Sequence, residues 1–123
     1  MISIEEVEKI HDILIEKFGG AKGIRDKGSL DAAIKRPYQT FDGKDLYSSP
    51  VDKAAAIFES IISNHPFIDG NKRTSYVLMR LVLLDSGLDL LANQDEKFDF
   101  VIKAAKSELT LNEIKIWIKS HLK

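Results

Sequence analysis

Residues 49–84 read SPVDKAAAIFESIISNHPFIDGNKRTSYVLMRLVLL, and this stretch decides the fold. Ser49 is a helix-capping residue, Pro50 suits the first helical position, and Asp52 puts an acid in the first turn, where it complements the helix dipole. Ala54, Ala55, Ala56, Ile57, Phe58, Ile61 and Ile62 then follow with so little polarity that the helix is expected to be largely buried. After a break from His65 to Gly70, the run from Tyr76 to Leu84 is apolar on almost every side, the pattern of a helix surrounded by others. It is expected to be the central helix.

Upstream, Ser3 and Glu6 have capping-box spacing, and Ile4, Val7, Ile10, Ile13, Leu14 and Phe18 recur at helical intervals until Gly19-Gly20 stops the pattern. His11 falls on the polar side of that helix. Ser29 is placed to cap a short helix from Asp31 to Lys35, and Pro37 ends it by pushing the preceding residue out of the α region. Asp42-Gly43, flanked by Tyr38 to Phe41 and Lys44 to Tyr47, readily takes the positive φ values of a tight hairpin turn, which predicts a small exposed flap. Downstream, Asn93 to Glu96 and Thr110 to Glu113 are two further capping boxes. They open helices that carry Phe98, Val101, Ile102 and Ala105, then Ile114, Trp117 and Ile118. Trp117, Phe98 and Phe58 read as core residues, and His121 lies near a helix C-terminus, where the dipole favours it. With no repeat or linker, residues 1–123 read as a single all-α domain with a central buried helix and one β-hairpin.

The 123 residues suffice for one core and not two, with 44% hydrophobic and 30% charged residues. Lys and Arg number 18 against 19 Asp and Glu, so the net charge of −1 argues against a general nucleic-acid binder. The absence of cysteine excludes disulfides and thiolate zinc sites and points to a reducing compartment, so a cytoplasmic protein is expected. The N-terminus carries acids where a signal peptide needs basic then apolar residues, and no apolar run is long enough to span a bilayer. No membrane association is expected.

The polar break between the two apolar helices holds the chemistry. Read singly, its residues make a tight interhelical turn, with Asp69-Gly70 as the turn pair, Asn71 as a cap, and Lys72 and Arg73 solvated. Together they make more than a turn. Gly70 lets a ligand approach the backbone, and the helix that follows offers free N–H groups carrying a partial positive charge. Asn71, Lys72 and Arg73 add side-chain donors. Asp69 would repel a phosphate unless a divalent cation lies between them, which is how a magnesium–nucleotide site is usually built. His65 supplies a side chain of the type that accepts a proton near neutral pH. The set fits phosphoryl-type transfer.

The segment His65-Pro66-Phe67-Ile68-Asp69-Gly70-Asn71-Lys72-Arg73 resembles the H-P-F-x-D/E-G-N-x-R signature of the Fic/Doc superfamily at every fixed position. Gly23 to Asp26, Arg36-Pro37 and Thr40 to Tyr47 also resemble the Doc (death-on-curing) branch, so the likeness covers roughly residues 23–90. It implies a Fic/Doc-type helical bundle. AMP-transferring members carry a glycine where this chain has Lys72 and a second arginine where it has Tyr76. Losing that arginine removes a charge-assisted clamp that orients the α-phosphate. Lysine followed by Arg-Thr is the Doc pattern, which implies a reversed nucleotide and transfer of the γ-phosphate.

The resemblance implies a protein Ser/Thr kinase using ATP and Mg2+, with the metal on Asp69 and His65 as general base. Asn71, Lys72 and Arg73 would be catalytic, and the nucleotide would lie over Gly70, Asn71, Lys72 and Arg73. The flap residues Phe41, Asp42, Gly43, Lys44, Asp45, Leu46 and Tyr47 would position the target. The inhibitory pattern S/T-x-x-x-E, with which many Fic proteins obstruct their own nucleotide site, does not occur in this chain. A partner is therefore expected to supply the restraint. The family implies a Phd-like antitoxin, and as the substrate an elongation factor of the Tu type, so that translation is blocked. Two alternatives stay open: a Fic-type AMP transferase, and a non-catalytic peptide-binding module. Roles for Arg25, whose Gly23 to Asp26 turn matches the family or is merely a helix connection, and for Arg80, either a partnered charge or a nucleotide contact, also stay open. Gly19 to Gly23 and Gly43-Lys44 lack the G-x-x-x-x-G-K-S/T pattern and read as turns.

Overall fold

The computed structural model describes residues 2–123. Six α-helices and a short 3-10 turn surround one core: α1 (Ile4–Phe18), α2 (Lys27–Lys35), the turn Arg36–Tyr38, α3 (Pro50–Asn64), α4 (Asn71–Asp85), α5 (Gln94–Ala105) and α6 (Leu111–Ser120). Between the 3-10 turn and α3, β1 (Thr40–Phe41) and β2 (Lys44–Asp45) form an antiparallel hairpin with Phe41 opposite Lys44. Asp42 and Gly43 take φ of 52° and 76°, the left-handed pair that the tight turn requires. Every residue of both strands is exposed.

The middle of the bundle is α3 rather than α4. Val51, Ala54 to Phe58, Ile61 and Ile62 are all buried, because the alanines let α2, α4, α5 and α6 approach it closely. By contrast, α4 packs along α3 with Thr74, Ser75, Leu78, Met79, Val82 and Leu83 but leaves Tyr76, Val77 and Leu81 half-buried and Leu84 exposed. Its outer face borders two clefts, one shared with α5 and one with α1.

Capping follows the sequence closely, with two exceptions. The capping boxes of Ser3, Asn93 and Thr110 all form, and Ser49 caps α3. The cap of α2 is Asp26, whose carboxylate accepts the Ser29 N–H at 3.0 Å, so the helix starts at Lys27 and Ser29 lies within its first turn. For α4 the N-cap is Gly70, at φ 75°, and Asn71 is the first helical residue.

Two side-chain placements overturn expectations. α1 turns Val7, His11 and Ile15 inward, so His11 is buried while Ile13 and Phe18 are exposed. A stacking partner in the core, Phe67 at 3.9 Å, draws the imidazole in. Phe98 is 70% exposed and not core, because α5 buries the face of Phe100 and Ala104. Phe58, Phe100, Trp117 and His121 stack in succession at 4.8, 3.9 and 4.0 Å and tie α3, α5 and α6 together.

Arg80 holds Asp89 in a bidentate pair at 2.7 and 2.9 Å, which pins the chain after α4 and commits this arginine to a structural role. The pair, together with the Leu90 N–H, holds the Asp89 carboxyl far below its usual range. A lowered folded-state pKa stabilises the fold above the ordinary carboxylate pKa, and that stabilisation is lost as pH falls through the lower one. Asp89→Asn should therefore cost about 1 kcal/mol at pH 7, the upper range for a partly exposed ion pair. The gap from wild type should close progressively below about pH 4 in acid-unfolding curves.

Candidate active site

α3 ends at His65, whose backbone is left-handed, with φ 48° and ψ 59°. Helix ends leave carbonyl groups without partners, and here an arginine from a distant loop supplies them. Arg25 donates from Nε to the His65 carbonyl at 2.6 Å and from Nη2 to the Asn64 carbonyl at 2.5 Å. The main chains run alongside each other: the Arg25 and Asp26 N–H groups donate to the Pro66 carbonyl at 2.7 and 3.0 Å, and the Ile68 N–H donates to the Gly23 carbonyl at 3.0 Å. The imidazole of His65 is thus exposed on a backbone fixed from both sides.

The rest of the loop is braced from beneath. Asn71 Oδ1 accepts the Phe67 N–H and Nδ2 donates to the Phe67 carbonyl, both at 3.0 Å, closing the loop like a peptide pair. His11 Nε2 donates to the Asp69 carbonyl at 2.7 Å. Asp69 accepts the Gly70 N–H on Oδ1 at 2.8 Å and the Ala21 N–H on Oδ2 at 3.2 Å. Glycine suits position 70: its φ of 75° is left-handed, which costs a residue with a side chain, and a Cβ there would press on Ile15 Cδ1 at 3.0 Å.

Beyond Gly70 the helix is open. Of the six α-helices among the described residues, α4 is the one whose N-terminus has no side-chain cap. Thr74 is the first to bond within it, to the Gly70 carbonyl, so the N–H groups of Asn71, Lys72 and Arg73 have no helical partner. They face a cleft of about 540 Å³, within the usual size of a small-molecule site. His65, Asp69, Gly70, Asn71, Lys72 and Arg73 line it on one side, and Gln94, Lys97, Phe98, Val101 and Ile102 of α5 on the other. Lys72, Arg73 and Lys97 face one carboxylate there, so the cleft is cationic on a chain of net charge −1. Arg73 is steadied by the exposed ring of Phe18, 4.1 Å below its guanidinium.

All six motif residues expected at the site meet in this cleft. The flap, Phe41 to Tyr47, is not among its lining residues. It is anchored instead to the 3-10 turn and to α3: Tyr47 Oη accepts from Arg36 Nε at 2.8 Å, and the Tyr47 carbonyl accepts from Lys53 Nζ. Sequence reasoning missed His11 as a brace, although Val7-His11-Ile15 is itself a helical stripe. It also missed the α5 wall, because an apolar residue on an amphipathic helix reads alike whether it meets core or cleft.

Among the described residues no group of three His, Cys, Asp or Glu side chains could hold a metal ion. Asp69 alone offers a carboxylate to the cleft, with one lone-pair direction per oxygen left after its N–H bonds. That suits Mg2+, which commonly takes one or two carboxylates and completes its shell with phosphate oxygens and water.

The description "Fic/DOC family" belongs to the family model that matches residues 1–83. A curated relative, "Toxin Doc" of Mycolicibacterium smegmatis, is 45% identical over 78 residues, 63% of this chain and 60% of that protein. Another, "Protein kinase doc" of Escherichia phage P1, is 27% identical over 113 residues, 92% of this chain and 88% of that protein. The first alignment thus spans less than two thirds of the mycobacterial protein. The family match ends within α4, so the α5 wall of the cleft lies outside it.

Proposed function

The chain belongs to the Fic/DOC family, and from that premise we propose that it is a Doc-type toxin kinase, moving the γ-phosphate of ATP to a Ser or Thr hydroxyl of a protein target. The observation that carries this reading is the exposed His65 beside an uncapped helix N-terminus bearing Lys72 and Arg73. A proton acceptor and a prepared anion site line one cleft.

In the proposed reaction His65 takes the proton of the target hydroxyl while its oxygen bonds to the γ-phosphorus. The bond from that phosphorus to the oxygen bridging the β-phosphate breaks, leaving a phosphoprotein and ADP. The free amides of α4, with Lys72 and Arg73, hold the charge on the moving group, the kind of preorganised stabilisation that dominates phosphoryl transfer. Asn71 contributes by fixing the loop, with its acceptor and one donor bonded to Phe67. Mg2+ held by Asp69 and the phosphates would neutralise part of the triphosphate charge.

Tyr76 and Lys72, where AMP-transferring relatives carry arginine and glycine, favour the γ- over the α-phosphate. The hairpin, with both outer edges open, suits pairing with an extended target segment. A Phd-like antitoxin restrains the toxin, an elongation factor of the Tu type is its target, and both meetings take place in the cytoplasm. No helix among the described residues is long and apolar enough to cross a membrane.

Incubating the purified chain with a translation extract and either γ- or α-labelled ATP tests the reaction. Label on a protein from γ-ATP alone is the expected result. Label from α-ATP would overturn it in favour of AMP transfer, and no label from either would favour a binding module.

A further inference from the structure

The cation most removed from the motif is Lys97, on α5, and it lines the same cleft as Lys72 and Arg73. Its ammonium lies 5.8 Å from the ring centroid of Tyr76. Among the described residues no carboxylate is within ion-pair distance of it, whereas Lys22, Lys35, Lys53, Lys103 and Lys115 all have acidic partners. A half-buried lysine without a counter-ion, facing a cleft, is a charge whose partner comes from outside the chain. A second observation points the same way. The other half-buried lysines, Lys53 and Lys115, both have a carboxylate within ion-pair distance, at 3.6 and 3.3 Å.

We propose that Lys97 is a second phosphate anchor of the nucleotide site, holding the phosphates that are not transferred. This rests on the kinase reading above. The first turn of α4 offers fixed amides and two cations at one place, which suits a single phosphoryl group. A triphosphate carries charge along its length and needs a cation further along the cleft, and α5 supplies one from the opposite wall. The arrangement holds the polyphosphate between two helices, so its orientation depends on α5 as well as on the motif.

Calorimetric titration of Mg–ATP into wild type, Lys97→Gln and Lys97→Arg tests the assignment, with melting temperatures measured without nucleotide as the folding control. Lys97→Gln keeps most of the stem over Tyr76 and removes the charge. It should weaken Mg–ATP binding about ten-fold, the scale of one charge-assisted contact, while Lys97→Arg stays within about three-fold of wild type. Wild type that binds Mg–ATP alongside a Lys97→Gln variant of equal affinity overturns the assignment and leaves the kinase reading standing. Wild type that fails to bind Mg–ATP overturns both.

Discussion

Replacing His65 should reduce phosphoryl transfer by about 10²- to 10⁴-fold, the range lost when a positioned general base is removed, with the fold intact. The imidazole is exposed, so truncation opens no cavity. The complication is the backbone: His65 is left-handed at φ 48°, a conformation that histidine and asparagine tolerate better than most residues. His65→Ala therefore mixes loss of the base with added local strain, whereas His65→Asn keeps the backbone preference and removes the base. Both should lose transfer equally, measured as γ-label incorporated into the target. Mg–ATP affinity should stay near the wild-type value, because the anion site lies beyond Gly70. If His65→Asn labels the target at the wild-type rate, the base is another group.

Asn71→Asp, a change of one heavy atom, should be strongly destabilising. Oδ1 would still accept the Phe67 N–H, but the second carboxylate oxygen would face the Phe67 carbonyl where Nδ2 now donates at 3.0 Å. One hydrogen bond becomes a repulsion between two acceptors, and the Phe67 carbonyl loses its partner. Together these should cost about 2–4 kcal/mol, summing a lost hydrogen bond and an unpaired buried acceptor. Calorimetric or denaturant unfolding reads that cost. The same change should release the loop that seats His65 and Gly70, so transfer falls as well. A variant that keeps wild-type stability would mean that the loop closes without this brace.

The sequence contains the fold in its punctuation. Ser3, Ser49, Asn93 and Thr110 cap the helices they were expected to cap, Gly19 stops α1, and Asp42-Gly43 makes the hairpin. These signals are local, needing only residues three or four apart. The motif residues were legible for a similar reason, since nine consecutive positions, His65 to Arg73, carry the loop and the helix entrance. What stayed hidden depends on residues brought together from afar. His11 meets Asp69 across 58 positions and Arg25 meets His65 across 40, and neither spacing leaves a trace in periodicity. Periodicity also misjudged rotation: α1 has two competing apolar stripes, and stacking on Phe67 selects the one containing His11. On α5, Phe98 and Phe100 are indistinguishable by type, yet one is 70% and the other 1% exposed, because only Phe100 finds Phe58 and Trp117.

The seat of the base is stitched to its neighbouring loop through peptide groups: Gly23, Arg25, Asp26, Pro66 and Ile68 all contribute main-chain atoms. Ala21, which gives its N–H to Asp69, and Lys22 after it, whose ammonium pairs with Glu16 at 2.6 Å, are exposed and take no side-chain part in that stitching. Substitution at Ala21, or at Lys22 for the loss of one exposed ion pair, can therefore alter the rim of the site while the main-chain bonds behind it stay in place. A chain built this way can change its rim without rebuilding the loop beneath it.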